Sequence, residues 1–159
     1  MMFGRLPSVW RLTVVSAAPE KCAPMPERFT KAERSAVMRA VKSTNTSPER
    51  RVRSFVHRLG FRFRLHRRDL PGTPDLVFPG RGKVIFVHGC FWHRHEGCSR
   101  ATTPATNAEF WLAKLARNVA RDAAQMKALK KLGWKVLVVW ECQIRDEAKL
   151  ATRLRRFLE

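Results

Sequence analysis

The chain has 159 residues, with 32 Lys and Arg against 13 Asp and Glu, a formal net charge of +19. With 45% hydrophobic residues, ten Phe and five Trp, it carries enough apolar surface to bury a core, which excludes a wholly disordered basic tail. A folded domain with this surplus of positive charge attracts polyanions, of which nucleic acids are the commonest. Charge alone does not separate a ribosomal-type binder, a transcription factor, a nuclease or a membrane-surface protein. No apolar run reaches the ~18 residues of a membrane span, since residues 9–18 are interrupted by Arg11 and Ser16. Four cysteines are few for a disulfide scaffold of this size, so a reducing cytoplasm is expected.

Residues 1–27 hold four of the nine prolines and no sustained periodicity, and read as a loose, disordered leader before a single domain over residues 28–159. Thr30 and Glu33 form a capping box ahead of Val37, Met38 and Val41, a short basic helix. Ser47-Pro48-Glu49 offers an N-cap, a proline at the first helical position and a first-turn acid. The helix that follows has Val52, Phe55, Val56 and Leu59 on one face and ends at Gly60. Phe61, Phe63 and Leu65 then alternate with Arg62, Arg64 and His66, the period of a half-buried strand. After the turn Asp69-Leu-Pro-Gly-Thr-Pro, residues 75–78 (DLVF) make a second strand, Pro79-Gly-Arg-Gly a tight connection, and residues 83–87 (KVIFV) a buried central strand. Periodicity vanishes from His88 to Thr106. Asn107 caps a long helix with Trp111, Leu115, Val119, Met126 and Leu129 on one side, stopped by Gly133. Residues 134–140 (WKVLVVW) are another buried strand, reached through a loop and a helix and hence by a parallel right-handed crossover. A basic amphipathic helix closes the chain over residues 150–158. The order α, α, β, β, β, α, β, α predicts an α/β fold, a mixed sheet with helices on both faces.

Cys90, His95 and Cys98 share the irregular loop, and Cys142 lies just past the last strand. In a crossover unit the two strands are neighbours, so Cys90 and Cys142, at their C-terminal ends, are expected to meet. Three thiolates and one imidazole make a tetrahedral set that zinc favours, and on the order of 10 kcal/mol of binding energy is available to order such a loop. His93 and Cys22 compete for the fourth position, and the spacing alone leaves scattered free cysteines as the alternative. In a chain this basic, acids at strand edges stand out. The tight connection brings Asp75 near Val87 and His88, with His93 just beyond and Glu49 at a helix start able to face them. A carboxylate beside a backbone carbonyl is an oxygen environment suited to Mg²⁺, and histidines there could activate water or protonate a leaving oxygen. Each residue also has a plainer reading: Asp75 as a turn residue, Glu49 as a first-turn acid, His88 and His93 as supporting or zinc residues.

Leu70-Pro-Gly-Thr-Pro-Asp75, Val84-Ile-Phe-Val-His88-Gly-Cys-Phe-Trp-His93, Pro104-Ala-Thr with Phe110-Trp111, the stretch from Asn118 to Asp122, and Gly133-Trp-Lys-Val-Leu-Val-Val-Trp-Glu-Cys142 together resemble the very short patch repair endonuclease family. Arg34-Ser-Ala-Val-Met-Arg39 and Thr46-Ser-Pro-Glu49 resemble its N-terminal region, so the likeness runs from about Phe29 to the end of the chain. It implies a restriction-endonuclease-like fold with a structural zinc site. The implied enzyme is Mg²⁺-dependent and nicks double-stranded DNA 5′ of the thymine in T:G mismatches left by 5-methylcytosine deamination. Carried over, Asp75 and the Val87 backbone carbonyl hold Mg²⁺, His88 and His93 stand at the scissile phosphate with His93 as general base, and Glu49 supports the attacking water. Cys90, His95, Cys98 and Cys142 become the zinc ligands. Phe91, Trp92 and Trp111 become intercalating aromatics, with Met38 and Asn118 as further DNA contacts. Wedging flat side chains into a base stack costs least where pairing is already weak, which suits a mismatch. The family often has threonine at the Val87 position, a change that a backbone carbonyl survives. The expected setting is a cytoplasmic, nucleoid-associated monomer working with mismatch-repair proteins. The rival readings are a restriction-type nuclease of other specificity and a non-catalytic zinc-containing nucleic-acid binder.

Overall fold

The computed structural model describes residues 30–40 and 44–159. The chain divides into two compact units, Met1–Val41 and Lys42–Glu159. The expected disordered leader, Cys22 and Val41 lie outside the described residues, as does the Val37 side chain. In the first unit, α1 (Lys31–Ala40) starts on the expected capping box. The Glu33 N–H donates to the Thr30 hydroxyl at 3.2 Å, and the Thr30 N–H donates to the Glu33 carboxylate at 2.7 Å. Met38 is exposed on this helix.

The second unit holds α2 (Ser47–Arg58), β1 (Leu76–Phe78), β2 (Lys83–His88), α3 (Ala108–Lys131), β3 (Lys135–Trp140) and α4 (Glu147–Leu158). The sheet runs β1-β2-β3: β1 pairs antiparallel with β2, and β2 pairs parallel with β3, as the crossover reading required. Side chains of successive strand residues point to opposite faces, and each face is covered by helices. Leu76, Phe78, Ile85 and Val139 pack with Val52, Phe55 and Val56 of α2 and with Leu150, Leu154 and Leu158 of α4. Val77, Val84 and Phe86 pack on the other side with Leu129 of α3. No helix among the described residues is long and apolar enough to cross a membrane.

Four local expectations change. Residues 61–65 form no ladder: Arg64 and Val77 exchange two backbone hydrogen bonds of 2.8 Å in a single bridge, and His66, at φ 46°, turns the chain away. With β1 only three residues long there is no partner to pair further, although Phe61 and Phe63 still pack on the core while Leu65 is exposed. The N-cap of α2 is Thr46 rather than Ser47, because its hydroxyl is the one that reaches the Glu49 N–H. Asn107 occupies the cap position of α3 in a left-handed conformation, and its side chain makes no capping bond. On α3 the buried line is Leu115, Asp122, Leu129, while Val119 is 41% exposed. Seven-residue steps nearly repeat around a helix, whereas Val119 lies about 60° round from Asp122.

The turn before β1 is pressed against α3. Gly72 has φ 76°, and a Cβ there would lie 2.7 Å from the Gln125 side-chain oxygen. Gly72→Ala is expected to destabilise the domain by about 1–3 kcal/mol through overpacking and the left-handed backbone. Adding Gln125→Ala should restore only the overpacking part; full recovery in urea melts of the double variant would show that the backbone conformation carries no cost.

Candidate active site

Because β1 and β2 are antiparallel and Leu76 stands opposite Ile85, Asp75 arrives opposite the end of β2. Its Oδ2 accepts the Val87 N–H at 2.7 Å. In an extended strand the N–H and C=O of one residue leave the same side, so the Val87 carbonyl faces the same edge as the Asp75 carboxylate. Burial pushes the Asp75 carboxyl up to about 6; the Val87 amide pulls against this, the Glu49 charge adds to it and Arg53 opposes it. Glu49, on α2, is only 4% exposed. Its Oε1 accepts the Thr46 hydroxyl at 2.8 Å, and its Oε2 accepts the Asn45 N–H at 2.9 Å and an Arg53 N–H at 2.8 Å.

On the α3 face of the sheet end, His88 and His93 stack with ring centroids 3.8 Å apart and planes 11° from parallel. His88 is buried against Phe86 and the edge of Trp140. Burial pushes its imidazole down to about 4; the neighbouring His93 and Arg121 push the same way, and Asp122 opposes them. It is therefore a neutral ring near pH 7. The Nδ1 of His93 lies 2.5 Å from Oδ2 of Asp122. A carboxylate oxygen accepts, so Nδ1 carries the proton of this contact, and in the neutral ring Nε2 holds the lone pair. His88, His93 and Asp122 lie close enough for a cation, but stacked rings aim their in-plane lone pairs side by side instead of at one point. The group is built as a hydrogen-bonded His–Asp pair with a second imidazole packed on it. Asp122 is the residue that helical periodicity missed. Its signal was an acid in register with Leu115 and Leu129, where an apolar side chain is the rule.

One loop further on, Cys90, His95, Cys98 and Cys142 place their ligand atoms within 4.8 Å of one another. The parallel strands bring Cys90 and Cys142 together as expected, and His95 rather than His93 joins them. His95 Nδ1 lies 3.6 Å from the Cys90 sulfur and 3.3 Å from that of Cys142. The sulfur–nitrogen edge of a tetrahedral zinc site is about 3.6 Å, so the spacing and the donor set both fit. The His95 ring is held by stacking on Trp140 at 4.2 Å. Burial pushes the Cys90 thiol up to about 12, so a cation would be required to hold it as a thiolate.

Between the two clusters the loop presents Phe91 and Trp92, which meet Trp111 of α3 at centroid distances of 5.5 and 6.0 Å. Trp111 is partly exposed rather than core, Phe110 beside it is 55% exposed, and the Lys114 ammonium sits over Trp92, Phe110 and Trp111. Asn118 donates its amide N–H to the Trp92 carbonyl at 3.1 Å, which ties this loop to α3. Met38 belongs to the other unit and is described only within it.

Residues 26–100 match the family described as DNA mismatch endonuclease Vsr. A type II nicking enzyme, V.XorIIP, of Xanthomonas oryzae pv. oryzae is 49% identical over 135 residues, covering 85% of this chain and 98% of that protein. The chain belongs to the Vsr endonuclease family. The DNA mismatch endonuclease Vsr of Escherichia coli (strain K12) is 45% identical over 126 residues, covering 79% of this chain and 80% of that protein. The type II nicking enzyme V.NmeAIP of Neisseria meningitidis serogroup A is 40% identical over 134 residues, 84% of this chain and 95% of that protein. Glu49, Asp75, His88, Cys90, His93, His95 and Cys98 all fall within residues 26–100 that match the family, and Cys142 lies beyond that match.

The burial of Asp75 has a thermodynamic consequence. With a folded value near 6 against an ordinary value of 3.8, the unfolded chain releases this proton first. The metal-free folded state therefore loses stability as pH rises from about 4 to about 6. Asp75→Asn removes that loss and keeps an oxygen for the Val87 amide. In a chelating buffer its melting temperature should exceed the wild type's by a few degrees near pH 8 and converge with it near pH 4; a lower value near pH 8 would contradict the assigned burial cost.

Proposed function

We propose that this Vsr-family endonuclease nicks double-stranded DNA on the 5′ side of the thymine in T:G mismatches, with Mg²⁺ at Asp75 and the Val87 carbonyl and with structural zinc at Cys90, His95, Cys98 and Cys142. The surrounding fold is read as restriction-endonuclease-like. The observation that carries the proposal is the convergence at one strand end of a half-buried carboxylate and a His–Asp pair, which a protein that only binds DNA does not need.

The proposed chemistry is a hydrolysis in which the oxygen of water forms a bond to phosphorus while one P–O ester bond breaks, and the departing sugar oxygen takes a proton from solvent to leave as a hydroxyl. When bound, Mg²⁺ supplies neutralisation of the charge that grows on the phosphate oxygens. His93 Nε2 accepts the proton of the attacking water, and Asp122 fixes the tautomer and steadies the imidazolium that results. His88, neutral and packed against His93, keeps that ring from rotating. Glu49 completes the acidic edge beside Asp75. Phe91, Trp92 and Trp111 wedge into the base stack at the mismatch, where unstacking costs least. Asn118 serves by anchoring Trp92 as well as by touching DNA. Met38 adds a contact from the N-terminal helix, and the +19 charge supplies sequence-independent attraction to phosphates. The protein works as a monomer.

A panel of matched, T:G and other mismatched duplexes, incubated with Mg²⁺ or EDTA, tests the proposal. Nicking confined to the thymine strand of the T:G duplex, at least about tenfold faster than on matched DNA and lost in EDTA, is expected. Asp75→Ala should abolish nicking while duplex binding persists. Equal nicking of matched and T:G duplexes would leave a nuclease of other specificity, and full activity of Asp75→Ala would remove the catalytic assignment.

A further inference from the structure

The side of α2 that faces Asp75 carries a charge network of which the chemistry above uses only Glu49. The Arg53 side chain is 13% exposed and that of its partner Glu49 5%. Three N–H groups of the guanidinium are spent on the protein: Nη1 donates to the Asn45 side-chain oxygen at 2.6 Å, and Nη2 donates to Glu49 Oε2 and to His66 Nε2, each at 2.8 Å. Its buried Nε has no partner among the described residues, so the fork sets the orientation of the side chain even where that strands a donor. Two of its acceptors, Asn45 at φ 55° and His66 at φ 46°, are non-glycine residues in the left-handed region. They lie on separate segments, one before α2 and one after the Arg64 bridge, and both meet at this one side chain.

We propose that Arg53 is a positioning residue of the nicking reaction, whose fork holds the Glu49 carboxylate in one orientation beside Asp75, braced by Asn45 and His66. This rests on the reading of the site as a mismatch-nicking centre. A buried Glu–Arg pair is a poor way to stabilise a core, since well-packed apolar side chains often serve as well or better. Here the pair lies where the buried Glu49 carboxylate approaches the half-buried Asp75, and the guanidinium cation offsets the repulsion between them. It does not act as a phosphate contact, because its Nη atoms point into the protein at Asn45, Glu49 and His66. Lysine is not an equivalent: a single ammonium point charge lacks the planar fork that spans three acceptors. A guanidinium only donates, so His66 Nε2 is the acceptor and Nδ1 carries its proton.

The test uses the full chain, with Arg53→Lys and Arg53→Ala compared with wild type. Three quantities are read: the single-turnover nicking rate on a T:G duplex, the affinity for that duplex in EDTA, and the His66 tautomer from long-range proton–nitrogen spectra. Both variants are expected to nick on the order of 10²-fold more slowly, with duplex affinity unchanged to within about twofold. Arg53→Ala added to Glu49→Ala should slow the reaction no further than Glu49→Ala alone, because the two act as one unit. His66 should be the Nδ1–H tautomer in the wild type and a mixture in the variants; Arg53→Lys carries the test if the alanine variant does not fold. A wild-type rate in Arg53→Lys, a loss of rate matched by an equal loss of duplex affinity, or multiplying effects in the double variant would overturn the proposal. A wild-type protein that fails to nick the T:G duplex overturns the functional reading instead, and the His66 spectrum then decides the network by itself.

Discussion

The backbone ladder from Lys83–Lys135 to His88–Trp140 runs β2 and β3 side by side in one direction, so both strands end at the same edge of the sheet. Much of the candidate site hangs from that edge. Asp75 is tied to the Val87 amide, His88 is the last residue of β2, Cys90 lies two residues further, and Cys142 follows the end of β3. An antiparallel pair would have sent β3 out at the far side and left Cys90 and His95 without Cys142. The loop of residues 89–107 would then have had no cross-strand anchor, and its aromatics no fixed relation to the histidines.

The two faces of the sheet divide the work. The α3 face carries His88, His93 and Asp122, with Asn118 and Trp111 farther toward the N-terminal end of the same helix. The α2 face carries Glu49 and Arg53, and Asp75 stands at the edge between them. The His93–Asp122 pair and the acids Asp75 and Glu49 are thus supported by different helices. Both helices gain their rigidity from the apolar clusters beneath them, since α2 rests on Leu76, Phe78 and Ile85 and α3 on Val77, Val84 and Phe86. The site is held by core packing at both sides rather than by a loop alone, which is what a preorganised centre requires.

Much of this was legible from residues. The Pro-Gly connection between two short apolar runs dictates the register that delivers Asp75 to Val87, and the loop–helix connection dictates the parallel pairing that joins Cys90 to Cys142. What was hidden had physical causes. Asp122 sits in line with Leu115 and Leu129, and a stripe read by residue type takes in the exposed Val119 and passes over a buried acid. Residues 61–65 have the alternation of a strand but lack a partner long enough to pair with. The cap of α2 shifted by one because Ser47 and Thr46 offer the same hydroxyl chemistry in sequence, and only distance to the Glu49 amide separates them. Arg53 is invisible among 32 cationic residues, since nothing in a basic sequence distinguishes a buried guanidinium from a solvated one.

One strand edge is proposed to keep two chemically different cation environments apart, oxygen ligands at Asp75 and sulfur–nitrogen ligands at the cysteines. Element-specific anomalous diffraction from crystals of the protein soaked in Mn²⁺, a stand-in for Mg²⁺ that favours oxygen ligands, tests it most directly. A zinc signal enclosed by Cys90, His95, Cys98 and Cys142 and a manganese signal against Asp75 and the Val87 carbonyl are expected. Manganese between His88, His93 and Asp122 with none at Asp75, or cysteines without zinc, would contradict it.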